Sequence, residues 1–162
     1  MPLERHYEMN EVLPHRGRML LLDELIDAGP EHVVCAVAIE RDTMFCDGVN
    51  GVPSWVGIEY MAQTAATYSG VEEARAGVRP TIGLLLGSRR YKPEVPYFAI
   101  GSRLHVHAEL ILRDETDLVA FSCRIVEGER LLAQADVKAY RPKDVLAVIR
   151  GERIEEQDHE RR

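Results

Sequence analysis

The sequence predicts an α+β domain in which an antiparallel sheet of about six strands wraps around one long central helix. Three observations carry this expectation. Residues 52–70 form the longest segment low in charge, with Trp55, Ile58, Met61, Ala62, Ala65, Ala66 and Tyr68 recurring at spacings of three and four. Val56, Tyr60 and Thr64 load its other faces, and Glu59 is the only formally charged side chain between Asp47 and Glu72. A helix that is apolar nearly all round must be enclosed by other elements. Strand-like runs stand on both sides of it, two before and four after. Most of those runs are joined by short turns, which antiparallel neighbours need and parallel ones cannot use.

In chain order, residues 1–9 read as a flexible arm, 10–142 as one domain, and 143–162 as a charged tail with a short helix over 145–149. Asn10-Glu11-Val12-Leu13 has room for one helical turn before Pro14 stops it. Leu13-Pro14-His15-Arg16-Gly17-Arg18 is a compact basic loop. The apolar run 19–26 reads as a strand ending at Ala28-Gly29-Pro30, and 33–40 reads as its hairpin partner. Residues 41–51 lack periodicity and contain the turn pairs Asp47-Gly48 and Asn50-Gly51.

Pro53 suits a first helical turn, and Gly77 and Pro80 suit the end, so the helix is expected from 53 to about 76. A helix of that length spans ~35 Å, enough to cross a sheet. Strands are expected at 81–86, 103–112, 118–126 and 131–140. Leu104, Val106, Ala108, Leu110 and Leu112 alternate with His105, His107, Glu109 and Ile111, as in a sheet covered on one face. Tyr97-Phe98-Ala99-Ile100 is expected as an apolar loop on the surface, able to gate a tunnel or to cap the core.

A chain of 162 residues is long enough to bury about 70% of its unfolded surface without staples. No apolar run approaches the ~20 residues of a membrane span, and the first residues lack the pattern of a secretory signal, so a cytoplasmic location is expected. A net charge of −7 argues against nucleic acid as a partner. Cys35, Cys46 and Cys123 are widely spaced and form no Cys-x-x-Cys pair, so free thiols are expected, with no metal and no cofactor. His105 and His107 share one strand face but have no third ligand nearby, and read as the polar face of the sheet.

A lone carboxylate inside an apolar helix costs several kcal/mol unless it finds a partner, shifts its pKa or has a task. Glu59 is therefore the leading candidate for chemistry. The free amides of the helix start, at Ser54-Trp55-Val56-Gly57, are suited to an oxyanion.

Three segments in order resemble the 3-hydroxyacyl carrier-protein dehydratases of bacterial fatty acid synthesis (FabA/FabZ-like). They are Leu13-Pro14-His15-Arg16 followed by Met19-Leu20-Leu21-Leu22-Asp23-Glu24, the helix segment Glu59-Tyr60-Met61-Ala62-Gln63, and Leu86-Gly87-Ser88-Arg89-Arg90-Tyr91-Lys92-Pro93 ahead of Gly101-Ser102-Arg103-Leu104. Within that group, residues 51–63 look most like the ApeP-like dehydratases of aryl polyene clusters. The resemblance covers about residues 10–142 and implies a hotdog fold. It also implies a dimer, homo- or heteromeric, formed through the sheet. In that dimer a loop histidine of one subunit faces an acid on the central helix of the other.

Glu59 matches the acid, and Gln63 matches the motif that follows it. The loop that should carry histidine reads Phe45-Cys46-Asp47-Gly48-Val49-Asn50-Gly51 and has none. Asp47, Cys46, His15 and a histidine from a partner subunit are the candidates for the missing base. His15 itself matches the family's other, non-catalytic histidine. Trp55, Val56, Gly57, Gln63, Tyr97 and Phe98 are the expected substrate-binding positions. Arg89, Arg90 and Lys92, with Arg16 and Arg18, would steer an acidic acyl carrier protein bearing its phosphopantetheine-linked chain, or else are solvated strand ends.

The implied function is removal of water from 3-hydroxyacyl carrier-protein thioesters in fatty acid or polyene synthesis, with a histidine-bearing partner. An acyl thioester hydrolase and a non-catalytic acyl-binding or scaffold subunit on the same fold are the alternatives.

Overall fold

The computed structural model describes residues 3, 5–142, 147 and 149–151. Most of the helix expected over 145–149 falls outside the described residues, as does nearly all of the tail. The first helical turn, α1 (Met9–Val12), is closed by a capping box between Glu8 and Glu11. A 3₁₀ turn at Gly17–Met19 follows, then strands β1 (Glu24–Ala28) and β2 (His32–Ala38). After the loop come β3 (Gly51–Pro53), a 3₁₀ turn at Ser54–Val56, and the central helix α2 (Gly57–Arg75). The remaining strands are β4 (Leu84–Pro93), β5 (Tyr97–Ala99), β6 (Arg103–Arg113), β7 (Leu118–Glu127) and β8 (Arg130–Tyr140).

Six strands form one antiparallel sheet in the order β1-β2-β6-β7-β8-β4. Alternation decides which side faces inward: Leu104, Val106 and Ala108 of β6 are sealed, while Glu109 of the same strand is exposed. Cross-strand pairing then aligns inward residues in rows, Val37 opposite Leu104 and Cys35 opposite Val106, with Val106 opposite Ile125. α2 lies on that inner face against β2, β6, β7 and β8. Tyr60, Met61, Ala65, Tyr68 and Val71 fill the core from its side. α1 closes over α2 at Gly70, where an added Cβ would sit 1.7 Å from the Val12 carbonyl oxygen. α2 ends where Gly77 takes φ +72°, a left-handed turn that ordinary side chains disfavour.

Four expectations are corrected. The run 19–26 is not one strand: β1 starts at Glu24, and residues 20–22 form a covered segment whose Leu21 amide is held by the Gln63 side chain. The helix does not begin at Pro53, which pairs with Tyr97 in a two-stranded sheet of β3 and β5. Tyr97–Ala99 is therefore a strand, and Phe98 is a sealed core residue at 0% exposure, not part of a surface loop. The strand expected at 81–86 lies later, at Leu84–Pro93, on the rim of the sheet with irregular register.

Candidate active site

Glu59 stands in the first turn of α2 with Gln63 one turn beyond it, on the same helical face. Gln63 is 1% exposed, and its amide is fully used. Its Oε1 accepts the Leu21 N–H at 3.0 Å, and its Nε2 donates to the Met19 carbonyl at 2.8 Å and to Glu59 Oε1 at 3.0 Å. The Leu21 N–H fixes which end of the amide is oxygen, so the Gln63 amino group is committed to Glu59. Residues 19–21 are thereby locked against α2, and the Glu59 carboxylate is held in one orientation.

The basic loop brings a second group to this point. The Arg16 guanidinium folds back and donates to the carbonyls of Leu13 at 2.6 Å and His15 at 2.8 Å. The resulting tight loop places His15 Nε2 3.9 Å from Glu59 Oε1. Burial draws the His15 pKa below its ordinary value; the Glu59 carboxylate opposes that shift and the Arg16 charge adds to it. His15 Nδ1 is buried without a hydrogen-bond partner.

His15 and Glu59 both line a cavity of about 210 Å³ between α2 and the β4-β8-β7 side of the sheet. Its helix wall is Ala62, Ala65, Ala66 and Ser69, and its sheet wall includes Leu84, Val119 and Val137. Apolar walls with a few convergent polar groups are the usual make-up of a small-molecule site. Sequence reasoning did not single out this helix wall. The available signal was small residues at 62, 66 and 69, which share the face of Glu59.

The other expected residues lie elsewhere. The Asp47 carboxylate accepts the amides of Val49, Asn50 and Gly51 at 2.8, 2.7 and 3.0 Å. These bonds, Gly51 foremost, hold its pKa well below the usual carboxylate range, which suits a loop anchor and makes a poor proton acceptor. Cys46 Sγ accepts the Gly48 N–H at 3.4 Å in the same loop. Trp55 is 62% exposed and meets Phe45 edge-on at 5.8 Å. Val56, Gly57 and Phe98 are buried in the core, and Tyr97 is part-exposed on β5.

The Gly57 amide donates to the Ser54 carbonyl, which also receives the Tyr91 hydroxyl. An added Cβ at Gly57 would meet that hydroxyl at 2.5 Å, so Tyr91 covers the start of α2 where an oxyanion site was expected. Burial raises the Tyr91 pKa to about 12, keeping the phenol a neutral donor.

Arg89, Arg90 and Lys92 are exposed at an irregularity of β4, where Arg90 takes φ +57°. Lys92 reaches Glu94 at 3.5 Å, and Arg90 and Lys92 border an open groove of about 510 Å³ with Ser122, Gln134 and Asp136. Arg16 and Arg18 do not join that group, since Arg16 is spent on its own loop and Arg18 reaches the Asp42 carbonyl at 3.5 Å. His105 and His107 lie on β6, where His107 Nδ1 is 3.3 Å from Arg124.

Comparison with known proteins bears on the family and the fold. The family model described as ApeP-like, ApeP dehydratase, matches residues 7–150. The dehydratase heterocomplex ApeI:P from Xenorhabdus doucetiae is similar at 30% identity, covering 92% of this chain and 100% of that one, with a TM-score of 0.83. PH1136 from Pyrococcus horikoshii, at 14% identity, covers 89% of this chain and 96% of that one with a TM-score of 0.64, and so shows the fold alone. AziG from S. sahachiroi does the same at 17% identity, 74% and 90% coverage and a TM-score of 0.56. No curated protein matches the chain. The six-stranded antiparallel sheet around α2 is the hotdog fold, and with its family model matched over nearly the whole domain the chain belongs to the ApeP-like dehydratases.

Proposed function

We propose that this chain is the acid-bearing subunit of a dehydratase that removes water from 3-hydroxyacyl thioesters carried by an acyl carrier protein. The observation that carries the reading is the Glu59 carboxylate, held by Gln63 at one end of an apolar cavity and open to it. In the reaction a base takes the proton from the carbon next to the thioester carbonyl. The carbon–oxygen bond at the 3-position breaks, and Glu59 in its protonated form gives its proton to the departing hydroxyl, which leaves as water. The new carbon–carbon double bond takes up the electrons, so nothing is oxidised or reduced overall. The apolar walls exclude water and hold the acyl chain.

The base comes from a partner subunit. The Phe45–Gly51 loop has no histidine, and its one carboxylate is consumed by loop amides. The related ApeI:P protein is a heterocomplex, which supports a heteromeric pairing here. β4 is an outer strand of the sheet, with Leu85 and Leu86 44% and 58% exposed, and is the natural seam for a dimer joined through the sheet. The exposed Arg89, Arg90 and Lys92 on the same strand supply a cationic surface for the carrier's phosphopantetheine phosphate and acidic face.

Mixing this chain with a histidine-bearing homologue and following loss of water from a 3-hydroxyacyl carrier substrate tests the reading. Activity is expected only in the mixture and is abolished by Glu59→Gln; no gain over either protein alone defeats it. Release of free thiol without loss of water would identify a hydrolase instead, and Glu59→Ala with no effect would identify a scaffold subunit.

One observation favours a second reading: His15 Nε2 stands 3.9 Å from Glu59 within the same chain. Under it this chain alone is active, and His15→Ala removes that activity.

A further inference from the structure

We infer that Arg141, held from behind by Glu73, forms the end wall of the Glu59 cavity and sets the longest acyl chain the protein accepts. This rests on the reading of that cavity as an acyl site. Glu59, Ala62, Ala66 and Ser69 follow one face of α2, and Glu73 continues it one turn further. Beyond Ser69 the cavity is bounded by Thr81, Tyr140 and Arg141. Thr81 and Arg141 also line an outer groove of about 480 Å³ together with Glu73, Pro80 and Ile82. Thr81 and Arg141 thus stand between the cavity and the more open groove.

The Glu73 carboxylate fastens this partition from both sides. One oxygen bonds the Arg141 guanidinium, and the other accepts the Thr81 amide at 3.0 Å. The Glu73 side chain is 12% exposed and that of Arg141 27%, so water screens the pair poorly and the fastening holds. From Glu59 to Ser69 the helix rises about 15 Å, room for an extended chain of roughly a dozen carbons. A longer chain has to displace Arg141 or break its pairing with Glu73. Removing either partner joins the cavity to the groove.

The test measures binding of linear saturated fatty acids, from hexanoic to hexadecanoic, to the intact chain by isothermal calorimetry, which needs no catalysis and no partner. For the wild type, affinity should rise about fourfold per added methylene while each is buried. The rise should stop near dodecanoic acid and reverse beyond it. In Arg141→Ala, and independently in Glu73→Gln, the rise should continue, giving hexadecanoic acid at least a tenfold gain over wild type with octanoic acid unchanged. Ala66→Leu, which leaves the ion pair intact, should move the limit to shorter chains. An unmoved limit in correctly folded Arg141→Ala and Glu73→Gln proteins overturns the inference. Failure of every acid to bind wild type overturns the acyl site and this inference with it. A length limit that moves as stated in a protein that never dehydrates its substrate leaves the inference standing and removes only the proposed reaction.

Discussion

Gln63 shows how much of the candidate site depends on one neutral side chain. Its amide meets the Leu21 N–H, the Met19 carbonyl and the Glu59 carboxylate, so Gln63→Leu strips three groups of their partner while keeping the bulk. An unpartnered buried polar group costs about 1–3 kcal/mol. Urea unfolding of Gln63→Leu should therefore show a loss of about 2–4 kcal/mol, with dehydration by the assembled complex reduced as Glu59 loses its orientation. A variant as stable and active as wild type would mean the Gln63 bonds position nothing. His15, one loop away, makes a prediction in pH. Its folded pKa lies below the ordinary value, chiefly through burial, so the unfolded chain binds the proton more readily than the folded one. Stability should be independent of His15 above its ordinary pKa of about 6.5 and should fall as the pH drops below it. Unfolding midpoints measured from about pH 7.5 to about pH 5 should decline more steeply in wild type than in His15→Gln. Parallel curves would place His15 in a solvent-like setting.

At the level of elements, what could be read in advance depended on whether an element's cause is local. β6 and β7 alternate because one face is sealed, and their ranges were legible to within a residue or so. β4 was not, because it lies on the rim, bends at two register shifts and exposes both faces, so no period of two marks it. β3 exists only because Val52 finds Phe98 across a gap of more than forty residues, and no window around Pro53 contains that cause. The contact of α1 with α2 is likewise tertiary, although Gly70 hinted at it as a glycine inside an otherwise good helix. With the Val12 carbonyl 1.7 Å from the position of an added Cβ, Gly70→Ala should not give the gain that alanine usually brings to a helix. It should instead push α1 away and cost about 1–3 kcal/mol by overpacking, visible as a lower thermal midpoint and faster hydrogen exchange in residues 9–13. A stabilised Gly70→Ala protein would show that α1 is loosely attached.

Across the whole molecule, the fold class was legible because an apolar helix and alternating strands leave few ways to bury both. Glu59 was legible as the one charge between Asp47 and Glu72, alone in the apolar part of that helix. His15 was legible only as one of several candidates for the missing base; its 3.9 Å approach to Glu59 was not, since it depends on the Arg16 clamp and on Gln63 gripping residues 19–21, both products of the folded chain. The same scale governs how an acidic protein with a net charge of −7 could recruit an acidic carrier. Long-range repulsion between two such molecules is screened beyond roughly 8–10 Å at physiological salt, so a local cluster decides the encounter once the surfaces are near. If Arg89, Arg90 and Lys92 are that cluster, replacing all three by glutamate should lower kcat/KM for carrier-bound substrate by tenfold or more at low salt. It should leave kcat at saturation, and turnover of a short substrate lacking the carrier, unchanged. Rising salt should depress kcat/KM of the wild type while leaving or raising that of the variant, because screening weakens attraction in one and repulsion in the other. Identical salt profiles for the two proteins would move the docking surface away from β4.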